Sequence, residues 1–202
     1  MYILFHSPYS QHARRVVSLL IEAHVEYRLN HVAMEKGEHL SPEYLAINPN
    51  HQVPTLVDGE IKIHESNAIL RYLAVKHRLD DWYPSELAKR AAVEQWLDWN
   101  QCRLSPAVID IVLNTVFLGD RGDAAAIERG RTRLRELEPI LEAGLTGKNF
   151  LAGDRPTIAD LSVASSVFQL GFAKVTPSGD RTQRWFERIS AIEGFRLSLP
   201  QA

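Results

Sequence analysis

Three short segments carry residue types that could do chemistry, and each stands where a predicted element starts or ends. Ser7-Pro8-Tyr9-Ser10 falls between a short β-prone run and a helical pattern. A hydroxyl there lies beside the positive end of a helix dipole, among backbone N–H groups with no partner inside the helix, and so suits an anion. Asn48-Pro49-Asn50-His51-Gln52-Val53-Pro54 leads into a strand. A Val-Pro bond at that place can be cis and can present the valine N–H and C=O at the sheet edge. An extended peptide would pair with those groups as an added strand does. Glu65-Ser66-Asn67 opens a helix, so Ser66 and the first-turn N–H groups offer a carboxylate or phosphate pocket, with Glu65 free to meet an amino group. Each segment also has a plainer role. Ser10 and Ser66 can simply cap helices, and Val53-Pro54 can be an ordinary trans turn. Taken singly, the segments leave both roles open.

Other chemistries find no support. There is no GxGxxG and no GxxxxGK[ST], so no glycine-rich phosphate loop is expected. His64-Glu65-Ser66-Asn67-Ala68 starts like an HExxH zinc helix but ends in alanine, which removes the second ligand. The remaining histidines are scattered, and no metal site is expected. The single cysteine, Cys102, cannot form an internal disulfide. It sits in a helical pattern between Trp99 and Leu104 and is expected to be a buried or half-buried, inert thiol. Over 202 residues, 23 Lys plus Arg against 25 Asp plus Glu leave a formal charge of -2. That balance gives no global field for nucleic acid or an anionic membrane. No run approaches the roughly 18 apolar residues of a membrane span. The Met1–Phe5 run is too short for a signal peptide and has no basic leader, so a cytoplasmic protein is expected.

The elements that must position these segments follow from periodicity. Residues 2–5 and 27–32 read as strands, and 11–23 as a helix with Val16, Leu19, Leu20 and Ala23 on one face. Ser41-Pro42-Glu43 marks a helix start. Residues 54–63 read as a hairpin turning at Asp58-Gly59, and Glu65 to Lys76 as a helix. The order is βαβαββα, a small sheet covered by helices. All eight histidines lie at or before His77 and all four tryptophans after it. The charged connector Asp80-Asp81-Trp82-Tyr83-Pro84-Ser85 separates the two compositions. Beyond it the patterns are helical: Leu87–Phe117 as one long helix with a kink at Pro106, Ala124–Leu145, and a helix capped by Thr157 and Asp160. The chain is therefore expected to be α/β plus all-α, with one domain over residues 1–78 and a second over 86–202.

Together, SPYSQHARRV (7–16), KGEHLSPEYLAINPNHQVPTLVDG (36–59), ESNAILRYL (65–73) and LAGDRPTIADLSVAS (151–165) resemble the soluble glutathione transferase family over essentially the whole chain. The pattern is most similar to the serine-type theta, phi and delta branches. The resemblance implies a thioredoxin-like amino half, an all-helical carboxyl half, a homodimer, and reduced glutathione as co-substrate with no permanently bound cofactor. It implies Ser10, four residues before Arg14, as the catalytic hydroxyl, in preference to Ser7. Val53 before Pro54 is placed like the backbone clamp on the cysteinyl unit. Glu65 and Ser66, with Asn67 beside them, are placed like the γ-glutamyl pocket, and His39, His51 and Gln52 like groups that hold the glycyl end. Leu40 stands where several phi-type relatives carry a basic residue, which shifts that duty towards the histidines and Lys36. Arg71 and the neighbourhood of Glu94 fall among dimer-contact positions. The lack of a thiol at the Ser10 place argues against disulfide exchange.

The resemblance implies that Ser10 donates to the sulfur as a thiolate and that a small apolar electrophile sits over it between the domains. Tyr9, Trp99, Arg103 and Val108 are the candidate walls. Arg103, if buried, needs an anionic partner, either a substrate group or one of Asp98 and Asp110. The alternatives are a non-catalytic ligand-binding or regulatory protein of the same fold, or a glutathione-dependent dehalogenase, isomerase or lyase.

Overall fold

In β1 (Tyr2–His6) the side chains of Tyr2 and Leu4 are buried on one side, while Ile3 and Phe5 alternate to the other and are partly covered. That is the period of a strand packed on both faces. The computed structural model, which describes residues 1–200, then follows the expected order. α1 (Gln11–Glu22) returns the chain so that β2 (Tyr27–His31) pairs parallel to β1, and a parallel neighbour needs such a crossover. The short α2 (Pro42–Leu45), capped by Ser41 with proline in its first turn, precedes β3 (Thr55–Asp58) and β4 (Ile61–His64). The sheet is mixed, in the order β2-β1-β3-β4, and α3 (Ser66–Lys76) follows it. The hairpin differs from expectation by one residue. Asp58 stays in the strand opposite Ile61, and Gly59, at φ 60°, turns the chain together with Glu60.

The sheet separates two cores. Leu4 and Leu56 are fully buried, as are Val16, Leu19, Leu20, Ile69 and Leu70 of α1 and α3. A smaller cluster joins Val32, Tyr44 and Val53, with Phe5 and Met34 packed against it. The Phe5 and Tyr44 rings meet edge to face, with centroids 5.9 Å apart. This second cluster fixes the backbone that carries Val53.

The chain from Asp81 to Ala191 forms a separate unit. Its long helical pattern is interrupted: α4 (Leu87–Trp99), a π turn over Asn100–Leu104, α5 (Ser105–Val112), and a second π turn over Leu113–Phe117. Pro106 stands in the first turn of α5, just past the first π turn, so the break lies ahead of the proline. α6 (Ala124–Gly144), α7 (Ile158–Leu170) and α8 (Asp180–Ser190) complete the unit. Of α7 only Phe168 escapes burial, which marks a central helix. The expected Thr157–Asp160 capping box is present. Asp160 does more than cap. It accepts from the Thr157 N–H and O–H, both at 2.8 Å, from the Leu151 N–H at 2.9 Å, and from the Trp185 indole at 2.8 Å. Burial raises its pKa, and the four donors act in the opposite sense.

The segment from Ile192 on belongs to the first unit, not to the helical half in which the 86–202 division placed it. There α9 (Glu193–Leu197) packs along α1. The Gly194 N–H donates to Glu22 Oε1 at 2.6 Å, and Ser198 meets Ser18 at 2.9 Å between hydroxyls. A Cβ on Gly194 would run into the Ser18 carbonyl, so the close approach needs glycine. Gln201 and Ala202 lie outside the described residues. No helix among the described residues is long and apolar enough to cross a membrane.

Candidate active site

Sheet register brings the three chemical segments of the first unit together. Phe5 pairs with Thr55, and Thr55 with His64. Within two residues of these pairs, the end of β1 leads to Ser7, the start of β3 follows Val53-Pro54, and the end of β4 runs into Glu65-Ser66. All three therefore share one end of the sheet.

The Val53-Pro54 bond is cis. The loop ahead of it is held from behind by a buried polar network. Tyr44 O–H and Asn48 Nδ2 donate to the Gln52 carbonyl at 2.6 and 2.9 Å, and both also contact Thr55 Oγ1, at 3.1 and 3.0 Å. The Val53 side chain is buried in the smaller cluster. Its backbone N–H and C=O enter no hydrogen bond among the described residues. Tyr44 and Thr55 were not singled out from the sequence, and Asn48 was named there only as the start of the loop segment. The Asn48-Pro49 turn was the signal available.

Glu65 precedes α3 at φ 68°, a conformation that side-chain-bearing residues rarely adopt, and its side chain is exposed. Ser66 and Asn67 are buried in the first turn of α3. Behind them lies Arg15, fully buried on α1, whose Nη1 donates to Asn67 Oδ1 at 3.3 Å and reaches Ser66 Oγ at 3.5 Å. Burial, and then the neighbouring Arg14, push the Arg15 pKa down to about 9. It remains a cation at neutral pH, so this pocket joins a helix N-terminus, a hydroxyl and a buried positive charge. Arg15 was missed in the sequence, where two adjacent arginines inside an apolar helical run were the clue.

Ser10 is the N-cap of α1, and its Oγ accepts the Ala13 N–H at 3.2 Å. The capping role is therefore real, and it leaves the hydroxyl's own proton to be donated elsewhere. Ser7 is half-buried and accepts the Ser10 N–H through its carbonyl at 3.0 Å, while Tyr9 is exposed. Burial, and then the charge of Arg15, push the pKa of His12 down to about 3. His39 is half-buried, with its Nδ1 enclosed and without a partner among the described residues. The His51 ring centroid lies 6.5 Å from that of His39. His51 and Gln52 are exposed, as are Lys36 and Leu40.

In the helical unit the structure corrects several expectations. Val108 is fully buried and lines no open wall. Arg103 is exposed, so it needs no buried counterion, and Asp110 pairs instead with Arg129 Nε at 3.2 Å. Cys102 is exposed rather than buried. The physical reason is the π turn at Asn100–Leu104, whose wider winding moves later side chains off the 3.6-residue phase. Trp99 is half-exposed and stands edge-on to Trp96 at 5.1 Å. The residues missed are Ile109, Leu113, Val116 and Phe117, each more than 40% exposed. They follow one another along α5 and the π turn after it. Among the described residues no group of three or more His, Cys, Asp or Glu could hold a metal ion.

Both units are similar to known proteins. Residues 1–75 match the glutathione S-transferase N-terminal domain, and residues 104–193 the C-terminal domain. The chain is 34% identical to glutathione S-transferase F10 of Arabidopsis thaliana over 200 residues, 95% of this chain and 93% of that one. It is 30% identical to mouse glutathione S-transferase theta-1 over 193 residues, 92% of this chain and 80% of the relative. The crystal structure of a theta class glutathione S-transferase from Xanthomonas axonopodis pv. citri with glutathione bound superimposes with a TM-score of 0.90 at 28% identity, covering 100% of this chain and 98% of that one.

Proposed function

The chain belongs to the glutathione S-transferase family and is a glutathione S-transferase, and from that premise we propose that Ser10 Oγ–H donates a hydrogen bond to the sulfur of bound glutathione and holds it as a thiolate, the thiol's own proton passing to solvent. The observation that carries this reading is the state of Ser10 itself. Its oxygen accepts from Ala13 at 3.2 Å, which orients the hydroxyl and leaves one proton to give. It has no identifiable base to make it a nucleophile, since His12 is neutral and weakly basic, its pKa pushed down to about 3.

The magnitudes suffice. A free thiol titrates near ~8.5. A hydrogen bond to a charged acceptor contributes roughly 1.5–3 kcal/mol, or about one to two pKa units at 1.36 kcal/mol each. The end of α1 adds about 0.3–1 kcal/mol. Together these make the thiolate the main species near neutral pH. Its lone pair forms the new S–C bond, and the electron pair of the broken bond leaves with the displaced group.

For the tripeptide, Val53 ahead of Pro54 offers its backbone N–H and C=O to the cysteinyl unit. Ser66, Asn67 and the first-turn N–H groups of α3 hold the γ-glutamyl carboxylate over the buried Arg15, and Glu65 meets the α-amino group. His39, His51 and Gln52 take the glycyl end, and the enclosed, partnerless Nδ1 of His39 supports that assignment. For an apolar electrophile, the helical unit offers Trp99, Arg103 and the exposed row of Ile109, Leu113, Val116 and Phe117. The working enzyme is a cytoplasmic homodimer, located where glutathione is kept reduced.

The test is an ultraviolet titration of the bound thiol in Ser10→Ala, where the pKa is expected to rise by at least about one unit with glutathione affinity little changed. An unchanged pKa would leave Ser10 a cap and move the role to Ser7. Turnover of a chlorinated nitroaromatic separates an enzyme from a carrier.

A further inference from the structure

The helical unit has a feature that transfer to an electrophile does not use. A pocket of about 290 Å³ lies beside the turn after α6, lined by Lys148 and Asn149 of that turn and by Arg181, Arg184 and Arg188 of α8. The three arginines stand at i, i+3 and i+7, one side of the helix. Their charge is poorly matched. Glu142 pairs with Arg181 at 3.2 Å, and its two oxygens also accept the Arg181 N–H at 3.0 Å and the Thr182 N–H and O–H, both at 2.9 Å. No carboxylate among the described residues lies within ion-pair distance of Lys148, Arg184 or Arg188. Arg188 reaches only Asn149 Oδ1, at 3.4 Å. In a chain of formal charge -2, this is a concentrated local excess of positive charge.

We propose that this pocket binds an oligophosphate, a ligand with two or more adjacent phosphate groups, either inorganic or the tail of a nucleotide. Guanidinium forks match pairs of phosphate oxygens, and a lysine adds a mobile point charge. A single carboxylate would neutralise one cation and leave the others facing each other. An apolar ligand would meet mostly charged side chains. A long polyanion is the weaker match, because these cations gather round one small hollow instead of forming a stripe along the surface. The inference is independent of the glutathione site, with which it shares no residue.

The experiment is calorimetric titration of the full chain at physiological salt with tripolyphosphate, ATP, AMP and sulfate. Saturable binding of tripolyphosphate at one per chain is expected, with AMP and sulfate at least about tenfold weaker, as the loss of a charge-assisted contact implies. ATP equal to tripolyphosphate identifies the phosphate chain as the recognised group, and tighter ATP adds a nucleoside contact; both support the pocket. Arg184→Glu and Lys148→Glu should each weaken tripolyphosphate about tenfold or more. Arg133→Glu, the same charge change at an exposed position on α6, should cost less than about twofold, since exposed charges beyond a Debye length are screened. Melting temperatures without ligand check that the variants fold. The proposal is overturned if tripolyphosphate binds no better than sulfate, or if Arg133→Glu costs as much as Arg184→Glu. It also falls if RNA binds more tightly and tripolyphosphate does not displace it.

Discussion

The two units use buried polar groups for opposite ends. In the first, the Tyr44–Asn48–Thr55 network and the Arg15–Ser66–Asn67 contacts stand directly behind the edge where the tripeptide is proposed to bind. In the second, the four donors around Asp160 join α7, the loop before it and α8, and no substrate contact is assigned to them. The contacts proposed for a substrate in the second unit come from an exposed apolar row. Recognition by backbone and a fixed polar scaffold tolerates changes of side chain, whereas recognition by a helix side depends on each residue and on helical phase.

The largest effect that tests this contrast is expected at Asp160. Asp160→Ala should lower stability by about 3–5 kcal/mol in chemical denaturation, while the glutathione affinity of the folded fraction stays unchanged. A matching loss of affinity would erase the distinction between the units. Next come two positions on α5 and the π turn after it. Val108→Ala should destabilise by about 2 kcal/mol through lost packing and leave the KM for an apolar electrophile alone. Phe117→Ala should do the reverse, raising that KM about tenfold by loss of apolar contact. If the two swap behaviour, the row has been assigned to the wrong side of the helix.

Smaller changes sharpen the first unit. Ser66→Ala removes one hydroxyl and should weaken glutathione binding about tenfold in a direct titration, the cost of a hydrogen bond to a charged group. His12 gives a pH signature. Its pKa is pushed down to about 3 in the fold against about 6.5 unfolded. Below about 6.5 the unfolded chain binds a proton that the folded chain refuses, so stability falls as pH drops towards 3 and is unaffected above that window. The slope from this one residue is at most about 1.4 kcal/mol per pH unit, and denaturation midpoints in His12→Gln should show it flattened. Smallest of all, Val53→Ala should leave glutathione affinity within about twofold, because the contacts assigned to Val53 are its backbone groups and not its side chain.

The sequence was most legible where local chemistry decides structure. Ser41-Pro42 and Thr157-Ile158-Ala159-Asp160 announced helix starts because caps act within one turn, and Asp58-Gly59 located the hairpin to within a residue. Ser10, Val53-Pro54 and Glu65-Ser66 could be singled out because each lies at an element boundary. Arg15 was passed over because its partners are 51 and 52 positions away. Val108 and Cys102 were misplaced because a π turn left no mark in the hydrophobic pattern. The segment from Ile192 was assigned to the wrong unit because its anchors, Ser18 and Glu22, belong to α1.

By itself the sequence determined which backbone segments would begin and end elements, and hence which hydroxyls and N–H groups would be left to meet a ligand, since capping, turn formation and periodicity act over a few residues. Only the tertiary structure decided the rest: the register that gathers those segments at one end of a sheet, the buried cation behind Ser66, and the side of each helix left open. Those are set by contacts between residues far apart in the chain, and by helical phase, which one wide turn is enough to shift.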